Sequence, residues 1–181
     1  NQNFGMRIEI SREDVLLDTG GGLKKAAWFF QEGSGDDRPF ILHNVDVISN
    51  VDLGRMAEFH AAQNALVTLM VQNRKTSRYL LFDEHLTLCG RRLASGEADE
   101  SVRPAQNLQA LAFSGIHIIS PRLLPMITEV GIFSIITTYL RLAAQGEKIA
   151  AYRDDESYWR DLGNAESLQQ AAQDLRQHPV L

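Results

Sequence analysis

The chain has 181 residues, 44% hydrophobic and 23% charged, enough for one soluble globular domain spanning 1–181 with a substantial core. A net charge of −5, without a basic cluster or basic–aromatic interleaving, excludes nucleic acid as the main partner. The single cysteine, Cys89, rules out an internal disulfide framework and fits a reducing cytoplasm; no apolar run reaches the roughly 18 residues of a membrane span, and no signal peptide is visible.

Asn1 stands where an initiating Met would be, just before strand-like sequence, so an N-terminally incomplete domain is expected. Met6–Ser11 alternates like a half-buried strand. Gly20, Gly21 and Gly22 precede an amphipathic stretch, Leu23–Gln31. Gly33–Arg38 reads as a turn, and Phe40–Ile48 as a buried strand. Asp52 is placed to cap a helix running through Asn64. Val67–Gln72, Tyr79–Phe82 and His85–Cys89 read as strands, the last two as an antiparallel hairpin. Ala94–Gln106 reads as an exposed loop. Ala112–Ser120 is a further strand, and Pro121 suits a helix start. Ser134 caps a helix to Gln145 with Gly146 as its stop. Lys148–Arg153 reads as a strand and Glu166–Gln177 as a final helix. Strands alternating with helices predict an α/β domain around a predominantly parallel sheet.

Three features point to chemistry. Thr19-Gly20-Gly21-Gly22 stands at a helix start, where exposed amides and the helix dipole favour a polar or anionic ligand; a flexible turn fits equally. Asp46 interrupts an apolar run. At the C-terminal end of a parallel strand it would face a ligand crevice; otherwise it leaves the core and accepts backbone hydrogen bonds. Asp161 follows a strand and precedes the last helix, where an ordinary loop aspartate is also at home. Two carboxylates from distant parts of a fold can hold one Mg²⁺. The five histidines lack metal-ligand spacing, and His117 reads as a hydrogen-bonded core residue. Cys89 reads as a small buried side chain. Asp36-Asp37 and Asp154-Asp155-Glu156 read as solvated turns. No GxSxG, dinucleotide or P-loop glycine pattern occurs.

Taken in order, these segments resemble the sugar-1-phosphate nucleotidyltransferases, which include mannose-1-phosphate guanylyltransferases, N-acetylmuramate-1-phosphate uridylyltransferases and glucose-1-phosphate thymidylyltransferases. Leu17–Ala26 (LDTGGGLKKA) is similar to the LGTAGAL or ETGGGI segment that contacts base and ribose. Pro39–Asp46 (PFILHNVD) is similar to PFLVxNGD, whose Asp binds Mg²⁺. Ala112–Pro121 (AFSGIHIISP) resembles the F-x-G-I-H-V-x-S-P strand beside the sugar, and Phe133–Leu140 the helix that follows. Tyr158–Leu168 (YWRDLGNAESL) resembles YWxDxGTPExL, whose Asp is the second Mg²⁺ ligand.

The resemblance implies a Rossmann-like α/β fold of the nucleotide-diphospho-sugar transferase type. Its predominantly parallel mixed sheet would be flanked by helices and lack its first strand. It implies nucleotidyl transfer from a nucleoside triphosphate, GTP or UTP, to a sugar 1-phosphate. Asp46 and Asp161 would be the catalytic Mg²⁺ ligands, Thr19, Gly20, Gly21 and Asn44 would meet the nucleotide, and Gly115 the sugar. No membrane partner is implied, and a homo-oligomer is left open.

The family's GxGTRLxPxTxxxPK segment is expected before Asn1. Val45 stands for the usual Gly, Asn164-Ala165 for Thr-Pro, and no EKP-type motif is recognisable near Gly90-Arg91-Arg92. The intact protein is therefore expected to be an enzyme, and this chain alone inactive. The alternative is a non-catalytic nucleotide-sugar-binding or regulatory module of the same fold. A glycosyltransferase with a metal-binding DxD ranks lower, because Asp46-Val47-Ile48 does not fit that motif.

Overall fold

In the computed structural model, which describes residues 5–31, 38–92 and 98–177, helices flank a mixed seven-stranded sheet. In chain order the elements are α1 (Asp18–Gln31), β1 (Phe40–His43), β2 (Val47–Ser49), α2 (Leu53–Gln63), β3 (Val67–Gln72), β4 (Tyr79–Phe82), β5 (Leu88–Arg92), β6 (Glu100–Ser101) and β7 (Gln109–Ile119). A 3-10 helix (Pro121–Met126), α3 (Ile135–Ala144), β8 (Ile149–Arg153), β9 (Trp159–Asp161) and α4 (Ala165–Gln177) follow. The sheet order is β6-β5-β4-β7-β3-β8, with β1 also on β7; β2 and β9 form a separate small sheet.

Local signals set most boundaries. Asp52 Oδ1 accepts the Arg55 amide at 3.0 Å and starts α2, and Asn64, in the left-handed region at φ 46°, ends it. Ser134 caps α3 through the Ile136 amide, and Gly146 at φ 96° follows its end. β3 is buried at every residue because both sheet faces are covered. On one face Val67, Leu69 and Val71 join Leu23 of α1 with Tyr139 and Leu142 of α3. On the other, Met70, Ile116 and Ile118 pack with Met56 of α2 and Val47 of β2. Each such aliphatic side chain contributes about 1.5–3 kcal/mol through burial.

Four expectations change. Met6–Ser11 is not a strand: no neighbouring strand among the described residues supplies a ladder, and Met6, Ile8 and Ile10 are exposed. Phe40–Ile48 divides into β1 and β2 at a turn through Val45 and Asp46, because β1 pairs with β7 whereas β2 pairs with β9. β5 begins at Leu88 rather than His85, since Asp83 Oδ1 accepts the amides of His85 (3.0 Å) and Thr87 (2.8 Å), folding 83–87 into a turn. The mixed α/β sheet is as expected, but parallel pairing does not predominate. Among the described strands only β3 and β8 are parallel. Among the described residues no helix intervenes between β3 and β7, and β4 pairs antiparallel with β5 and β7, and β5 with β6.

The expected loop at Ala94–Gln106 contains β6, held to β5 by the Arg91–Glu100 ion pair at 2.6 Å; its residues 94–97 lie outside the described residues. The turn at Gly33–Arg38, with Asp36 and Asp37, also lies outside them apart from Arg38. Asp154 does form a turn, accepting the Ser157 amide at 3.0 Å, and Cys89 is buried. No helix among the described residues is long and apolar enough to cross a membrane.

Candidate active site

The site lies at a gap in the sheet. β4 pairs with 109–112 of β7 and β1 pairs with 116–119, while β3 occupies the opposite edge. The first edge therefore carries no strand along 113–115. Its carbonyls are still satisfied, as buried backbone groups must be. Arg74 Nη2 donates to Phe113 O (2.8 Å), Trp159 Nε1 to Ser114 O (2.7 Å) and the Asn44 amide to Gly115 O (2.9 Å). A cleft of about 580 Å³ opens over this gap.

Gly115 is required here twice over. Its φ is 75°, and a Cβ would stand 3.0 Å from Asn44 Nδ2. Asn44 thus packs its side chain directly on the glycine and lines the cleft.

Asp46 and Asp161 meet, although they come from distant parts of the chain. β2 and β9 pair Val47 with Asp161, and the Leu162 amide donates to Asp46 O at 2.7 Å. Both carboxylates flank Gly163: a Cβ there would lie 2.9 Å from Asp161 Oδ1 and 3.8 Å from Asp46 Oδ2. Asp161 Oδ1 accepts the Gly163 amide at 2.7 Å and lines the cleft; Asp46 lies beside it in the turn, not at the end of a parallel strand. Both residues are exposed. Among the described residues no three His, Cys, Asp or Glu side chains converge as a closed metal cage. The donor set is two hard oxygen ligands open to solvent, which fits Mg²⁺ completed by water and phosphate oxygens.

The glycine segment is arranged differently from its reading in sequence. The glycines lie inside the first turns of α1 rather than before the helix, and Gly20 and Gly21 are buried. Both amides point at Phe133 O, at 3.0 and 3.4 Å. A Cβ on Gly20 would come within 2.8 Å of Phe133 O, and one on Gly21 within 2.7 Å of Gly131 O. They let α1 pack closely on the segment before α3. Asp18 and Thr19 are the members that line the cleft, and Thr19 Oγ1 accepts the Ile135 amide at 3.3 Å.

Two side chains of the cleft carry no sequence signal. Arg74 follows β3 in a polar loop, and its guanidinium lies over the Trp159 ring, 3.5 Å from the centroid. Burial pulls its pKa down, opposed by the charge of Asp161. Ser114 is fully buried, and its Oγ has no partner among the described residues. His117 is a core residue as expected, its Nδ1 at 3.0 Å from Tyr139 Oη. Burial holds its pKa at about 3, so the ring is neutral at physiological pH.

No protein-family profile matches the chain. It is 28% identical over 90% of its length to a mannose-1-phosphate guanyltransferase of Yarrowia lipolytica, of which it covers 42%. It is 29% identical over 95% of its length to a mannose-1-phosphate guanylyltransferase of Mycobacterium tuberculosis, of which it covers 45%. The chain thus spans less than half the length of these curated relatives. A crystal structure of a candidate glucose-1-phosphate thymidylyltransferase from Bacillus anthracis superposes with a TM-score of 0.73 at 16% identity, over 98% of this chain and 68% of that one. Along nearly its whole length the chain is thus similar in sequence to mannose-1-phosphate guanylyltransferases, and it shares the fold of a sugar-1-phosphate nucleotidyltransferase structure.

Proposed function

We propose that the protein transfers a guanylyl group from GTP to a sugar 1-phosphate, mannose 1-phosphate by the names of its relatives, and releases pyrophosphate. The observation that carries this reading is the meeting of Asp46 and Asp161 beside one cleft. In the reaction a phosphate oxygen of the sugar 1-phosphate attacks the α-phosphorus of GTP. The bond from that phosphorus to the bridging oxygen breaks, and pyrophosphate leaves. The attacking oxygen is already anionic, so positioning and electrostatic stabilisation supply the catalysis rather than a general base.

Asp46 and Asp161 would hold Mg²⁺. When bound, the ion neutralises charge on the phosphate oxygens. Thr19 and Asn44 face the nucleotide. Gly20 and Gly21 contribute by drawing the start of α1 against Phe133, which sets Thr19 in the cleft wall. Gly115 leaves the sugar side of the cleft free of a side chain. The cytoplasm is the compartment we assign.

Asp46→Asn and Asp161→Asn are each expected to lower pyrophosphate release from GTP and mannose 1-phosphate by about 100-fold or more, measured with Mg²⁺ on the complete gene product. Full release by a folded variant would sink the carboxylate assignment. Binding of both substrates by the wild type without any release would identify a non-catalytic module of this fold.

A further inference from the structure

Arg74 is a partly buried cation that makes no direct ion pair among the described residues, although the charge of Asp161 acts on it. No carboxylate of the described residues lies within ion-pair distance of it, in contrast to Arg91 and Arg92, which line the same cleft and pair with Glu100 and Asp99. Among the described residues only its Nη2 is bonded, to the neutral Phe113 carbonyl, and Nε is buried with no partner there. The Trp159 ring covers one face and fixes the plane of the group. Holding a desolvated guanidinium in this state costs stability, and an anion delivered to the cleft would relieve that cost.

We propose that Arg74 is a phosphate-binding residue of the cleft, its guanidinium taking oxygens of a substrate phosphate in place of a direct carboxylate partner. A planar fork of donors matches a phosphate group better than a point charge does. Ring stacking and the Phe113 carbonyl fix the fork before ligand arrives, so little rotamer freedom is lost on binding. The proposal rests on the nucleotidyl-transfer reading for the identity of the phosphate, which belongs either to the sugar 1-phosphate or to the nucleotide. Arg74 acts in binding and takes no proton.

The test is titration calorimetry of the wild type, Arg74→Met and Arg74→Lys with mannose 1-phosphate, GTP and inorganic phosphate, each variant checked for folding by thermal melting. Arg74→Met is expected to weaken a phosphate-bearing ligand by about 10- to 100-fold, with Arg74→Lys recovering part of the loss. A loss on mannose 1-phosphate with GTP unchanged assigns the sugar phosphate; the reverse pattern assigns the nucleotide. Both support the proposal. If the wild type binds inorganic phosphate through Arg74 but neither mannose 1-phosphate nor GTP, the residue's role stands and the nucleotidyl-transfer reading falls. Unchanged affinities in a folded Arg74→Met overturn the proposal, as does a wild type that binds none of the three. Should Arg74→Met not fold, Arg74→Lys and Arg74→Gln carry the same comparison.

Discussion

Two arginines in this molecule show how differently one side chain can be housed. Arg141, near the end of α3, is fully answered: Nε meets Glu129 Oε1 at 2.7 Å, Nη2 meets Oε2 at 3.1 Å, and Nη2 also donates to Met126 O at 2.8 Å. This bidentate pair ties α3 to the segment after the 3-10 helix. Arg74, at the cleft, has one carbonyl and one aromatic face. The first arrangement closes a structure, whereas the second leaves a charge for something outside the chain. Partner chemistry, rather than burial alone, separates the structural cation from the one available to a ligand.

The contrast can be broken or sharpened by substitution. The largest expected effects belong to the cleft, where loss of either Asp46 or Asp161 is expected to remove the proposed activity with little change in melting. Gly115→Ala comes next. Forcing a Cβ into the left-handed region and against Asn44 is expected to cost about 1–3 kcal/mol and to lower turnover, read by chemical denaturation and pyrophosphate release. Turnover at the wild-type level would show that the cleft does not depend on this contact.

Arg141→Met should show the opposite profile. It is expected to cost about 2 kcal/mol in denaturant unfolding while leaving mannose 1-phosphate affinity unchanged. A loss of ligand affinity in this variant would erase the distinction between the two arginines. The smallest expected effect is in acid. The Arg141 hydrogen bond, aided by a backbone contact, draws the Glu129 pKa from 4.5 to about 2. A depressed carboxyl contributes stability that is present above about pH 4.5 and lost as pH falls toward 2. Wild type and Arg141→Met should therefore converge in stability across that window. Parallel curves would show that the pair does not govern the titration.

Much of the fold was legible because it depends on neighbours in sequence. The boundaries of β3 and β4, the Asp52 and Ser134 caps and the Gly146 stop follow from short apolar runs and local hydrogen bonds. Met6–Ser11 shows the limit of that reading, since its alternation is sound but a strand exists only where a ladder partner lies beside it. Thr19, Asp46 and Asp161 stood out through their surroundings as well as through resemblance, whereas Asn44 and Gly115 were picked out by resemblance alone.

Tertiary structure alone decided what those residues share. Whether Asp46 and Asp161 lie together depends on β2 pairing with β9, a contact between segments far apart in the chain. The fate of Gly20 and Gly21 depended on Phe133, whose carbonyl takes the amides that the sequence reading assigned to a ligand. Arg74 carried no signal, because an arginine in a polar loop becomes distinctive only when Trp159 and Phe113 O close on it and no described carboxylate pairs with it directly. Local sequence thus sets which groups are present and which elements carry them. Long-range packing sets which donors, acceptors and charges remain unpaired, and the chemistry of the cleft follows from those.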